Sequence, residues 1–212
     1  MSTSMEAVTP LRDATVRKVS WAYREPVCAT LARAFHDDPM FVHIFPDAAA
    51  RRRRLPRFFD MLWALTATKG VWEGTEGLGS AAIWLPPGRW RTSTLTMIGL
   101  MPRIIAVHGL ATMRALKMLD QIERVHPHEP HWYLAAIGTD PGRQGRGLGG
   151  AVLRAGLKRV DAAGLPAYLE SSKESNIPLY QHFGFQLREP VQIDGGPTVY
   201  PMWRPAQAAP PG

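Results

Sequence analysis

The stretch HWYLAAIGTDPGRQGRGLGG, residues 131–150, reads as a strand that delivers a tight turn into a helix. His131 to Ile137 is rich in aromatic and aliphatic residues, as a buried strand requires. Thr139-Asp140-Pro141-Gly142 breaks the strand, because proline lacks a backbone donor and glycine relaxes the chain. From Ala151 to Ala163 the apolar residues recur at helical spacing. Between the two, glycines at 145, 147 and 149 remove side chains where backbone N–H groups converge, and the positive end of the helix dipole lies just beyond them. That combination suits a pyrophosphate.

Two patterns claim this turn. Gly145 to Gly150 satisfies the dinucleotide pattern G-x-G-x-x-G, with Glu170 at about the distance of its ribose-binding acid. In that pattern, however, the first glycine ends the strand directly, whereas here Thr139 to Gln144 intervene and only one β-α-β unit is visible. The order Gln144-x-x-Gly147-x-Gly149 after a strand and a short loop instead resembles the acetyl-CoA-binding motif of the GCN5-related N-acetyltransferases. Downstream, Pro166 to Ser171 reads as a short strand, followed by Asn176, Tyr180 and the pair Gly184-Phe185. These are similar to the family's asparagine, tyrosine and Gly-Phe pair in identity and spacing. The likeness is good over residues 130–204 and loose before them.

That resemblance implies an α/β fold with a mixed, splayed central sheet flanked by helices, and acetyl-CoA as acyl donor. By position, it implies cofactor contacts from Ile137, Gly138 and Thr139 on the strand and from Gln144, Gly145, Arg146, Gly147, Leu148, Gly149 and Gly150 in the turn. Asn176 and Tyr180 complete the set, with Ile137 and Thr139 offering backbone groups to a pantetheine arm. Asparagine at a helix start is also a common cap, so Asn176 is expected to do either or both. Within the family the layout is similar to puromycin N-acetyltransferases: His126-Pro127, Glu129-Pro130, the pair Trp132-Tyr133, Leu169-Glu170 and Met202. The first 125 residues do not share it, so the acceptor is not carried over.

Composition agrees with an enzyme of this kind without selecting it. The chain has 212 residues, 45% of them hydrophobic, enough for a substantial core in one domain over 15–205, with a poorly ordered leader at 1–14 and tail at 206–212. A net charge of +7 suits nucleic acid, an anionic membrane or a polyphosphate cofactor. The densest run, Arg51 to Arg54, reads as a solvated helix face, since no base-stacking motif accompanies it. The single cysteine, Cys28, excludes an internal disulfide and fits a reducing cytoplasm. No signal-like core begins the chain, and the greasiest stretch, Leu95 to Leu119, is interrupted by Pro102, Arg103, Arg114 and Lys117. The expected partners are therefore acetyl-CoA and a small amine, with no nucleic acid, membrane or metal, for a cytoplasmic monomer or homodimer.

The rest of the chain supplies the supporting elements. A weak strand is expected at Thr15–Ser20, helices at Trp21–His36 and Ala48–Ala67, a short helix or turn at Met40–Phe45, and a hairpin from Gly70–Glu73 and Ser80–Leu85. Two more strands are expected between Gln186 and Arg204. A mostly helical insertion, residues 90–125, separates the hairpin from the central strand, and its methionines and isoleucines read as core or as a wall of the acceptor site.

The chemistry requires an amine freed of its proton and a thiolate that receives one. Tyr180 is expected to serve as general acid. His131, whose type titrates near neutrality, and Glu129 are the catalytic candidates for the base, with His126, His128 or a water chain as alternatives. The prolines in His126-Pro127-His128-Glu129-Pro130-His131 hold it extended, and its spacing fits no standard zinc pattern.

Overall fold

The computed structural model describes residues 14–207, so the expected leader and tail fall, apart from residues 14, 206 and 207, outside the described residues. Its strands are β1 (Val16–Lys18), β2 (Val71–Thr75), β3 (Ser80–Leu85), β4 (Trp132–Thr139), β5 (Ala167–Ser171), β6 (Gln186–Leu187), β7 (Val191–Gln192) and β8 (Thr198–Arg204). They form one open sheet in the order β1-β2-β3-β4-β5-β8-β6, with β7 also on β8. Only β4 and β5 pair in parallel; every other pair is antiparallel. The C-terminal region thus holds three strands where two were expected, because a pair of two-residue strands flanks Pro190 and carries too little pattern to read.

Helices cover both faces. On one face α1 (Arg24–Ala34), α3 (Ala48–Thr66) and α5 (Thr112–Val125) bury Leu31, Phe59 and Ile122 against Trp72, Ala81, Ile83 and Ala136. On the other, α6 (Leu148–Ala162) and α7 (Ile177–His182) bury Val152, Leu157 and Ile177 against Ala82, Trp84, Leu134 and Met202. Because both faces are covered, β3 is buried at all six positions and reads as a continuous apolar run. The short α2 (Pro39–Ile44) is capped by the Asp38 carboxylate, which accepts from the Met40 N–H at 3.0 Å.

One irregularity in β4 shapes everything near it. Ile83 faces Ala136 and the next residue, Trp84, faces Leu134, so Ala135 is an extra residue without a partner. Such a bulge bends its strand and increases the local twist. β4 and β5 pair only before the bulge, at Trp132–Ala167 and Tyr133–Tyr168. Beyond Tyr133 the two strands part.

Packing of α6 depends on Gly156. A Cβ there would lie 2.1 Å from Trp84 Nε1 and 2.7 Å from Glu73 Oε1, both fixed in the core beneath the helix. Gly156→Ala should therefore destabilise by about 2–3 kcal/mol, read in a thermal melt as a fall of roughly 4–12 °C at this chain length. An unchanged melt would show that the Trp84 ring can move.

Two expectations about the first half are corrected in part. Arg51 to Arg54 is not simply a solvated face: Arg51 is 5% exposed and donates to the carbonyls of His36, Phe45 and Pro46, and Arg54 donates to that of Val107. Helical spacing turns 51 and 54 inward and leaves Arg52 and Arg53 in solvent. The insertion is mixed: Met118 and Ile122 join the core and Trp90 stacks on His126, while other apolar residues face solvent. It forms α4 (Thr94–His108) and α5, broken at Gly109, whose φ is +56°. α4 lies outside α3, buries Ile104 and Val107 against Met61, and leaves Ile98 and Ile105 exposed.

Candidate active site

The turn between β4 and α6 is held from its outer side. Asp140 accepts from Gly142 N–H at 3.0 Å and from Arg33 Nε at 2.6 Å, and this ion pair holds its carboxyl below the ordinary range. Gly145 and Gly147 take φ of +75° and +78°, a conformation that side chains disfavour. Gly147 caps α6 and has no side chain to satisfy the helix, so the N–H groups of Leu148, Gly149 and Gly150 have no acceptor within it. α6 starts three residues before the expected Ala151 because Gly149 and Gly150, poor helix formers, sit in its first turn. At Gly149 a Cβ would come within 3.1 Å of Thr139 Oγ1, so the helix end lies directly beside β4.

β4 offers its backbone to the gap beyond the bulge. Asp140 N–H bonds Gly79 O on the β3 side, so by alternation Ile137 and Thr139 turn their N–H and C=O groups toward the side that β5 has left. Gln144 Nε2 donates to Thr139 O at 3.3 Å from that side. Gly138 differs from its expected role. It turns its backbone to β3 and its α-carbon to α1, where a Cβ would meet Ala34 at 2.7 Å, so it permits packing rather than contact with a ligand. Leu148 is buried and has only its N–H to offer, and Arg146 is exposed.

These features fit coenzyme A. A helix N-terminus with open donors beside two left-handed glycines accepts phosphate, and unpaired strand backbone accepts the amide-bearing arm as it would another strand. Gly147→Ala would place a side chain at the cap and strain the turn. Its expected effect is at least about tenfold weaker acetyl-CoA binding by calorimetry, equivalent to about 1.4 kcal/mol. An unchanged Kd would remove this turn from the binding site.

Tyr180 lies on α7, 7% exposed, with its ring 6.0 Å from Phe185. Burial, and then the Asp38 carboxylate, raise its pKa well above the ordinary phenol range, so it holds its proton. Asp38 is itself raised by burial and accepts from the Ser172 hydroxyl just past β5. Asn176 precedes α7 but makes no capping bond, which corrects the expectation of a cap. Its φ and ψ of −88° and −12° are already helical, so the carboxamide is not placed to cap.

The second group of polar residues lies where β4 and β5 begin to part. His131 is 1% exposed; its Nδ1 donates to Glu129 O at 2.6 Å, and its Nε2 lies 3.1 Å from His126 Nε2. His126 Nδ1 in turn lies 3.2 Å from Glu170 Oε1. A carbonyl only accepts, which fixes the His131 proton on Nδ1 and leaves Nε2 to accept from His126 Nε2–H. The His126–Glu170 contact then needs one more proton, on His126 Nδ1 or on Glu170. The chain is therefore a place where one proton can be taken up.

Aromatic rings enclose this relay. Trp90 stacks on His126 at 3.6 Å between centroids, Tyr133 and Tyr168 meet its edge at 4.7 Å, and the buried Tyr168 hydroxyl lies near the Glu170 carboxylate. Burial and the nearby Glu170 carboxylate raise both phenols. Burial lowers the pKa of His131, favouring the neutral ring.

Of the candidate bases, His131 is buried and joined to His126, and Glu129 contributes only its carbonyl. The Glu129 side chain is in solvent because the prolines on either side hold that segment extended. His128 is also outside, bonded to Arg91 at 2.8 Å. His126, expected only as an alternative base, lies in this hydrogen-bonded chain, and Glu170, expected only as a spacing match and as part of the Leu169-Glu170 pair, joins it two residues from Tyr168 on the same face of β5.

Comparison with known proteins points one way. The model of the acetyltransferase (GNAT) family matches residues 77–185. An uncharacterised N-acetyltransferase of Schizosaccharomyces pombe is 25% identical over 176 residues, which are 78% of this chain and 71% of that one. A structure from Corynebacterium glutamicum, described as histone acetyltransferase HPA2 and related acetyltransferase, superposes with a TM-score of 0.72 at 25% identity, covering 92% and 97% of the two chains. The Drosophila melanogaster polyamine N-acetyltransferase that forms N-acetylagmatine shares the fold, with a TM-score of 0.59 at 18% identity over 90% and 99% of the chains.

Proposed function

This chain belongs to the acetyltransferase (GNAT) family and is an acyltransferase, and from that premise we propose that it moves an acetyl group from acetyl-CoA to the primary amine of a small molecule. One observation supports the reading: β4 leaves β5 after two residue pairs, with the open N-terminus of α6 beside the far end of β4 and the buried, hydrogen-bonded chain His131–His126–Glu170 where the two strands begin to part. A thioester lying along β4 would place its reacting carbon between the two sets of side chains.

Each residue then has a task. The relay His131–His126–Glu170 takes the proton of the attacking ammonium, and Tyr180, which keeps its proton, donates to the sulfur as the thiolate leaves. Ile137, Thr139 and the first N–H groups of α6 hold the donor, and Asn176 adds its uncapped carboxamide. The buried ring of Tyr168 and the half-buried rings of Trp90 and Tyr133 suit a compact acceptor that brings its own positive charge to them. The fold relative that acetylates agmatine supports such an acceptor. The relative described as a histone acetyltransferase favours a lysine peptide instead.

Thiol release from acetyl-CoA tests this against puromycin, a polyamine, an aminoglycoside and a lysine peptide. Release that depends on a small amine is the expected result. Release with the peptide alone would assign the chain to protein modification, and saturable acetyl-CoA binding with no release would leave a binding module.

A further inference from the structure

The insertion carries a surface that the transfer reaction does not use. Along α4 and around its turn into α5, Leu95, Ile98, Ile105, Leu110 and Met113 are 82%, 63%, 52%, 106% and 64% exposed. On α4, residues 95, 98 and 105 share a helix face, and just past Gly109 the chain leaves Leu110 and Met113 exposed as well. The most apolar 18-residue window of this region has a mean hydropathy of 1.4, yet only 17% of it is buried. A solvated globular surface rarely concentrates apolar side chains in this way.

Charge selects the occupant. Between Pro86 and Leu119 the sequence has no Asp or Glu, and it carries Arg89, Arg91, Arg103, Arg114 and Lys117. Arg103 reaches Asp60 on α3, but Arg89, in the turn after β3, and Lys117, on α5, are exposed. A second copy docked on the same face would set these cations against each other, since the acids of this segment, Asp120 and Glu123, come only later on α5 and Asp120 is already paired with Arg124. An acidic, fluid, apolar surface answers both features at once.

We propose that the α4–α5 hairpin docks this protein on an anionic lipid bilayer, with the exposed apolar residues from Leu95 to Met113 entering the interface and the flanking cations meeting lipid phosphates. The hairpin lies on the membrane and does not cross it. α4 has 15 residues, about 22 Å of helix against roughly 30 Å of hydrocarbon, and its other face is buried on α3 through Ile104 and Val107. Apolar burial and headgroup attraction act together here, so binding is expected to need acidic lipid and to weaken as salt is raised.

Co-sedimentation of the full chain with vesicles tests the proposal. Phosphatidylglycerol mixed with phosphatidylcholine should pellet the protein, and pure phosphatidylcholine should not. The double variant Ile98→Asp with Leu110→Asp should lose at least about tenfold in partitioning while its melt and its thiol release stay unchanged, since both positions are exposed. Arg89→Glu with Lys117→Glu should reduce binding by the charge route alone. Failure of the unmodified protein to pellet with acidic vesicles at low salt would overturn the proposal, as would variants that pellet like the parent. So would sedimentation velocity showing a dimer that Ile98→Asp with Leu110→Asp dissolves, because a second copy would then cover these residues.

Discussion

Glu170→Gln is expected to lower kcat/KM for the amine by about 10²- to 10³-fold while leaving the fold intact. The amide can donate to His126 Nδ1 across the same 3.2 Å contact, so no buried polar group loses its partner. What the variant removes is the place for a proton. In the proposed mechanism the proton taken from the ammonium comes to rest between His126 and Glu170; with glutamine there, the hydrogen bond is already made. The pH profile separates this from a structural effect. Burial puts His131 below its ordinary pKa of 6.5, so the neutral ring needed by the relay is present above that lowered value and is lost as pH falls through it. The acid limb of kcat/KM should thus lie below pH 6.5 in the parent, as a property of the coupled chain. Glu170→Gln should lower the plateau and displace that limb, and full activity in the variant would place the base elsewhere.

Tyr180→Phe should reduce kcat by about 10²-fold and change the KM for acetyl-CoA little. Only an oxygen is removed, and the edge contact of the ring with Phe185 is kept, so the melt should hardly move. An interaction formed only as the sulfur acquires charge lowers kcat and kcat/KM together. Burial raises the phenol pKa, and the neighbouring Asp38 adds to it, so the proton is present at every working pH and its loss should flatten no limb of the profile. A variant that turns over at the parent rate would leave Tyr180 as a packing residue under α7.

Legibility in the sequence followed the range of the interactions involved. The turn at Gln144–Gly150 and the Asn176–Tyr180 spacing are local, and the structure forms both, the first as the glycine turn into α6 and the second as the start and middle of α7. The gap between β4 and β5 depends on Ala135, an extra residue in an apolar run whose alternation hides it, since Ala135 and Ala136 face the same way only once β3 is paired. Glu170 was legible as an acid on a strand and not as a base, because its partner His126 is 44 residues away at the end of α5. Glu129 was misplaced for the opposite reason. It is close to His131 in sequence, but only its carbonyl can turn inward between the two prolines. The same holds for Gly138, whose neighbour in space is Ala34 of α1.

A crystal structure of the protein with coenzyme A tests the reading most directly. The pantetheine arm is expected beside Ile137 and Thr139 in the gap between β4 and β5, the pyrophosphate on the N–H groups of Leu148, Gly149 and Gly150, and the sulfur within hydrogen-bond reach of the Tyr180 hydroxyl. Coenzyme A held elsewhere, or in the gap with its sulfur turned away from Tyr180 and the His126–Glu170 pair, would contradict it.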